Sequence, residues 1–242
     1  MESIVHRYPD RQAMARAAAA MVAERAAAAV AGCGTCHLAL AGGSTPETLY
    51  RLLAASPWRE TLPWKRMRFF WGDERLVGPD HPDSNFRMAW DAMLRSAPVT
   101  AAQLHPVPVA AGAPAEVAVR YGEILEKYAR HRCRGQSLLF DLVLLGMGKD
   151  GHTASLFPGD RCGLPATATV IAVDGRAASP PLPRVTLTLA ALGQCRDVVF
   201  LIAGREKTEL LERMLADGNL QGYPAGMVRP RGRIDWLLAE SE

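Results

Sequence analysis

The chain carries no excess of charge of either sign: 28 basic and 25 acidic residues leave a formal net charge of +3. That balance gives no ground for a nucleic-acid partner and supports at most a weak preference for anionic ligands. The basic runs Arg130–Arg134 and Arg229–Arg233 are short and read as solvated faces. Long apolar runs are also missing. Nothing approaches the ~20 residues needed to cross a bilayer, so no membrane association is expected. The alanine-rich stretch 13–31 is broken by Arg16, Glu24 and Arg25, and reads as an ordinary helix instead of a signal peptide.

Cysteine is scarce and odd in number, with five in 242 residues. This argues against a disulfide framework and for a reducing compartment, the cytoplasm. Cys33-Gly-Thr-Cys36 has the spacing of a redox pair, but it precedes a strand where such pairs follow one, so it reads as a turn. Cys133, Cys162 and Cys195 stand alone. The histidines His6, His37, His81, His105, His131 and His152 show no ligand spacing, so no metal site is expected. Internal repeats, low-complexity linkers and an appended DNA-binding module are all lacking. Residues 1–242 therefore read as one domain.

What is present is an alternation of apolar runs and helical patterns. Strands are expected at His37–Ala41, Met67–Trp71, Leu138–Leu145, Val170–Val173, Val185–Leu189, Val198–Ala203 and Ile234–Leu238. Helices are expected at 46–55, 86–94, 115–130 and 206–216; Val117, Tyr121, Ile124, Leu125 and Tyr128 recur at helical spacing. Such alternation predicts an α/β fold, a three-layer, mostly parallel sheet with helices on both faces.

Four loops have the composition of a site. The most informative follows the apolar run Leu142–Leu145: Gly146-Met-Gly-Lys-Asp-Gly-His152-Thr-Ala-Ser-Leu-Phe-Pro158. Ligands of open α/β sheets sit beyond the carboxyl ends of strands, and glycines let backbone approach them. A lone histidine is more often structural than catalytic. His152, in a glycine-rich strand end with Asp150 two positions before it, is the candidate base. Ala41-Gly42-Gly43-Ser44-Thr45-Pro46-Glu47 joins a strand to a helix, with either Ser44 or Thr45 placed to cap it. It offers free N–H groups to a phosphate, although without the Gly-Lys-Ser/Thr of a Walker loop. Asp73-Glu-Arg75 puts three charges directly after an apolar strand and opens a long polar loop, 72–84. Arg184 and Lys207, each beside a strand, could clamp an anion near the glycine turn. Neither Ser44 nor Ser155 sits in a nucleophile-elbow sequence.

These four loops, in this order, resemble the 6-phosphogluconolactonase family. The resemblance rests on Ala41–Pro46, Gly72–Arg75 with Ser84-Asn-Phe-Arg-Met88, Gly146–Pro158, and Arg184-Val-Thr-Leu-Thr188 with Lys207. It implies a fold similar to glucosamine-6-phosphate deaminase and ribose-5-phosphate isomerase. It implies hydrolysis of 6-phospho-D-glucono-1,5-lactone to 6-phospho-D-gluconate in the oxidative pentose phosphate pathway, with no metal or organic cofactor. The implied partner is a small phosphorylated sugar lactone, bound by a monomer or small homo-oligomer. By the same resemblance His152 is the base, and Gly42, Gly43, Ser44, Thr45, Arg184 and Lys207 hold the phosphate. Asp73 and Arg75 face the sugar ring or ester. On chemical grounds Asp150 could orient the His152 ring or raise its basicity, and the oxyanion donors are either backbone N–H groups of the glycine loop around Gly148 or Arg75. The alternatives are a glucosamine-6-phosphate deaminase or sugar-phosphate isomerase, and a non-catalytic phosphosugar sensor. The deaminase pattern continues past the histidine into Asn-Glu-Pro, whereas Ser155-Leu-Phe-Pro158 has no carboxylate. A sensor would have no need of His152 or Asp73.

Overall fold

Helix–sheet packing begins with alanine. Asp10 caps helix α1 (Arg11–Cys33), its side chain accepting the Ala13 N–H at 2.7 Å. The helix buries Met14, Ala15, Ala18, Ala19, Val22, Ala26 and Ala29 along one stripe, and side chains this small let it lie close on the sheet. Gly34 ends it at φ 74°, a left-handed conformation that favours glycine, and returns its N–H to the Val30 carbonyl at 2.7 Å. Cys33-Gly-Thr-Cys36 is thus a helix exit and strand entry, as expected of a turn. Against the expectation of wholly reduced cysteines, Cys33 is disulfide-bonded; Cys36 and Cys195 are in no disulfide, so Cys33 and Cys36 are not joined to each other.

The computed structural model describes residues 2–130, 138–159 and 168–241. The basic run at 130–134, His131, Cys133 and Cys162 lie outside them, apart from the backbone of Arg130. Along the chain, β1 (Glu2–Tyr8) precedes α1, and β2 (Cys36–Leu40) follows it. Then come α2 (Ser44–Leu53), α3 (Trp58–Thr61), β3 (Met67–Trp71), β4 (Asp73–Arg75) and α4 (Asn85–Ala89), which runs on into a π turn at Trp90–Leu94. The middle holds β5 (Leu104–His105), α5 (Pro114–Arg130), β6 (Phe140–Gly146) and β7 (Val170–Val173). The last part holds β8 (Arg184–Leu187), α6 (Leu189–Leu192), β9 (Cys195–Ala203), α7 (Arg205–Ala216), α8 (Pro224–Met227) and β10 (Arg233–Ala239). No helix among the described residues is long and apolar enough to cross a membrane.

Seven strands form one sheet in the order β1-β10-β9-β6-β2-β3-β5, and every pairing in it is parallel. The fold is the α/β class the alternation predicts. Its inner strands are apolar on both faces, Leu38–Leu40 and Leu142–Leu145 being buried throughout, as a sheet covered on both sides requires. After β2 the chain moves outward to β3 and β5. It then returns to place β6 on the other side of β2 and moves outward again to β9 and β10. The order therefore reverses between β2 and β6, and a crevice opens beyond their carboxyl ends.

A second sheet departs from expectation. β4, β8 and β7 form an antiparallel sheet in the order β4-β8-β7, where residues 72–84 read as a polar loop. Asp, Glu and Arg are poor strand formers by composition; they form one here by pairing with β8, with Asp73 and Arg75 on the face toward a polar cleft. Gly72 joins the two sheets: its N–H donates to Leu40 O and its carbonyl accepts from Leu187 N, both at 2.9 Å. β1 and the two-residue β5 also go unpredicted. They are the edge strands of the large sheet, half-exposed and without a continuous apolar run.

Candidate active site

Two buried tyrosines finish the strands that feed the crevice. Tyr50 Oη accepts from Ala41 N and donates to Ala41 O, both at 2.9 Å. Tyr121 Oη accepts from Trp71 N at 2.8 Å and donates to Trp71 O at 2.9 Å. Burial drives both phenols well above their ordinary range, so they remain neutral and able to donate. They fix the peptides from which the Gly42 and Asp73 segments depart.

The glycine turn leads into α2 with no side-chain cap. Gly43 is the N-cap residue at φ 99°, and Ser44 and Thr45 lie inside the first turn, so neither caps as the sequence suggested. The first N–H groups of a helix have no carbonyl to reach, and an uncapped start leaves them directed at the cleft. Gly42 is obligatory for a different reason: a Cβ there would lie 2.0 Å from Asn85 Oδ1.

The small sheet supplies side chains by its two-residue period. Asp73 and Arg75 share one face of β4, and register places them opposite Thr186 and Arg184 of β8. Arg75 and Arg184 are therefore directly opposed cations, an arrangement that costs stability unless an anion lies between or beside them. Arg184 is 4% exposed; Nη2 donates to Pro180 O at 3.0 Å and Nη1 lies 3.9 Å from Asp73 Oδ2. Arg75 Nη1 donates to Asp83 O at 2.7 Å. The Nε of each arginine is buried with no partner among the described residues. Burial lowers the Arg184 pKa, with Asp73 opposing the shift. Glu74 points to the opposite face and accepts from Arg75 N, Asn85 N and Phe86 N at 2.7–2.9 Å. Burial still pushes its carboxyl up to about 7.

The His152 loop leaves β6 beside the glycine turn. His152 Nδ1 lies 2.6 Å from Asp150 Oδ1, which also accepts the His152 N–H at 3.2 Å. The carboxylate assigns the proton to Nδ1 and leaves Nε2 with a free lone pair. The Phe157 ring packs against the imidazole, centroid to centroid 4.8 Å. Gly148 makes room for the pair, since a Cβ would lie 2.1 Å from His152 Nδ1 and 2.6 Å from Asp150 Oδ1. Its N–H is already used on His152 O at 3.0 Å, so Gly148 shapes the loop and is not a spare donor. Ala154 adopts φ 49°, a left-handed conformation uncommon for a residue with a Cβ.

A single cleft of about 320 Å³ gathers Gly42, Gly43, Ser44, Thr45, Asp73, Arg75, Gly148, His152, Arg184 and Lys207. Asp150 stands behind His152, outside the lining. The residues meet as the sequence suggested, by a partly different route. Arg184 does not follow the carboxyl end of a parallel strand; it begins a strand of the antiparallel sheet. Among the described residues, no group of three or more His, Cys, Asp and Glu side chains could hold a metal ion.

The family model for glucosamine-6-phosphate isomerases/6-phosphogluconolactonase matches residues 9–236. The chain belongs to this family. A 6-phosphogluconolactonase of Synechocystis is 40% identical over 237 residues, covering 95% of this chain and 92% of that protein. The Homo sapiens 6-phosphogluconolactonase is 35% identical, covering 97% and 90%. The crystal structure of 6-phosphogluconolactonase from Thermotoga maritima superposes with a TM-score of 0.85 at 29% identity, covering 99% and 100%. A monomeric glucosamine-6-phosphate deaminase superposes with a TM-score of 0.80 over 97% of each chain; at 19% identity it shares the fold.

Within this member of the family, sequence reading missed the residues that hold the site. Asn85 donates to Asp73 Oδ1 at 3.2 Å and to Asp73 O at 2.9 Å, and lines the cleft. Ser155 donates to Asp73 Oδ2 at 2.6 Å. Both lie in the quoted motifs, so a signal existed, but their partners are distant in sequence. The Ser155 hydroxyl is buried and committed to a carboxylate, which leaves no nucleophile there.

Proposed function

We propose that this chain hydrolyses 6-phospho-D-glucono-1,5-lactone to 6-phospho-D-gluconate, with His152 as general base on water. One observation carries the reading: a single cleft has an anion-seeking end and a basic end. The anion-seeking end is the opposed pair Arg75 and Arg184 with the uncapped start of α2 and Lys207. The basic end is His152 backed by Asp150. Because Arg75 faces Arg184 across the ladder, we assign it to the phosphate instead of the ester.

Asp150 holds the ring with Nε2 as acceptor. A water gives its proton to Nε2 as its oxygen attacks the lactone carbonyl. The tetrahedral intermediate collapses by breaking the bond from C1 to the ring oxygen. That oxygen takes the proton back from His152, leaving an open-chain acid that ionises. The phosphate supplies binding energy remote from the reacting carbon and sets the carbonyl against the base. The cleft draws on residues from Ala41 to Lys207, which supports reading the chain as one catalytic unit.

The test is hydrolysis of freshly generated lactone, with spontaneous opening subtracted. Wild type is expected to accelerate ring opening of the phosphorylated lactone and to act poorly on gluconolactone without phosphate. Equal rates on the two substrates would remove the phosphate assignment, and no rate above background would remove the activity.

A further inference from the structure

The base loop and the small sheet belong to different parts of the fold, yet their separation must match the length of one substrate. Ser155 joins them. Its backbone N–H donates to Thr186 Oγ1 at 3.2 Å and its hydroxyl donates to Asp73 Oδ2 at 2.6 Å. Asp73 and Thr186 are direct partners across β4 and β8, so Ser155 spans a single rung of that ladder. The next rung on the same face of the sheet is Arg75 and Arg184. Ser155 is 1% exposed, and the left-handed Ala154 beside it turns the chain so that the side chain points inward while His152 faces the cleft. Upstream, Thr153 Oγ1 ties the same loop to Gly146 O at 2.8 Å. The second oxygen of Asp73 is taken by Asn85, which lies against Gly42 of the glycine turn. Asp73 is therefore a node at which the base loop, the arginine ladder and the glycine turn meet.

We propose that Ser155 is a positioning residue for lactone hydrolysis: its hydrogen bond to Asp73 fixes the distance from His152 to the arginine pair. This rests on the function proposed above. Ser155 touches neither water nor substrate in this account and acts through Asp73. Losing a hydrogen bond to a charged group costs roughly 1.5–3 kcal/mol, which corresponds to about a 10–100-fold change. The loss should fall on kcat, because the phosphate end keeps its own contacts.

The experiment compares wild type, S155A, D73N, S155A/D73N and H152A by steady-state kinetics, titration with 6-phosphogluconate and thermal melting. S155A is expected to lower kcat by about tenfold or more, with KM and product affinity within about threefold of wild type. S155A/D73N is expected to be no slower than D73N alone. If S155A is insoluble, S155C, slightly larger and with a weak donor, is expected to show the same split with a smaller loss. A serine variant with wild-type kcat would overturn the proposal. So would a fall in kcat and product affinity together, tracking a lowered Tm, or additive losses in the double variant. H152A separates the two readings: an active H152A removes the base assignment, whereas an inactive H152A beside a fully active S155A removes this proposal alone.

Discussion

One wall of the cleft is built from strand ends and backbone, the other from side chains on a sheet face. The parallel sheet contributes the glycine turn, the His152 loop and Lys207, all leaving the carboxyl ends of strands around the reversal between β2 and β6. The antiparallel sheet contributes Asp73, Arg75 and Arg184 through the period-2 alternation of β4 and β8. The first wall places reacting groups on loops that glycine makes close-fitting. The second places charges at fixed spacing, where cross-strand register and not loop length sets the geometry. In the proposed reaction the His152 loop of the first wall performs the chemistry, and the second wall, completed by the glycine turn and Lys207, measures the substrate.

Breaking the first wall should cost most. H152A is expected to lose roughly 10²–10⁴-fold in kcat while still binding 6-phosphogluconate. Retention of half the wild-type kcat would take His152 out of the chemistry. Next comes G148A, whose new Cβ would meet His152 Nδ1 at 2.1 Å and push the ring from its place. A displacement of about 1 Å can cost about 10²-fold, so G148A should lose kcat on that scale with its fold intact. A G148A enzyme of wild-type rate would mean that the ring is not held as described.

Breaking the second wall should move a different parameter. R184A is expected to raise KM for the phosphorylated lactone by roughly 10–100-fold, the worth of charge-assisted contacts, with less change in kcat. Its activity on unphosphorylated gluconolactone should stay at the wild-type level. Equal losses on both substrates would merge the two walls into one.

The smallest effect concerns the reverse face of the small sheet. The folded pKa of Glu74, about 7, lies above the usual carboxylate value of 4.5. The folded state therefore favours the protonated form. This contribution to stability is fully present below about pH 4.5 and is lost as pH rises through 7. Denaturant unfolding of wild type and E74Q at pH 5 and pH 8 should show the difference between them shifting by about 2–3 kcal/mol, wild type being relatively better at pH 5. An unchanged difference would mean that Glu74 is ionised at both.

The two walls also differ in how far they could be read beforehand. Met67–Trp71 and Val170–Val173 match their strands to the residue, because short runs rich in aromatic residues in the first and β-branched residues in the second leave little choice. The His152 loop and the glycine turn were visible because the pattern of an apolar strand ending in glycines is local. β4 was not: three charged residues form a strand only through a partner about 110 positions away, and no local pattern encodes that pairing. The opposition of Arg75 and Arg184, the Asn85 and Ser155 bonds to Asp73, and the tyrosine braces at Ala41 and Trp71 are likewise long-range. The capping expected of Ser44 or Thr45 failed for a physical reason: the helix already starts after Gly43, which leaves no side-chain cap at its N-terminus.

The division of labour is tested most directly by a crystal structure of the enzyme with 6-phosphogluconate bound. The account predicts the phosphate against Arg184, Arg75 and the first N–H groups of α2, with the carboxylate carbon at the His152 Nε2 end of the same cleft. A phosphate seated at His152, or a product bound away from the arginine pair, would contradict it.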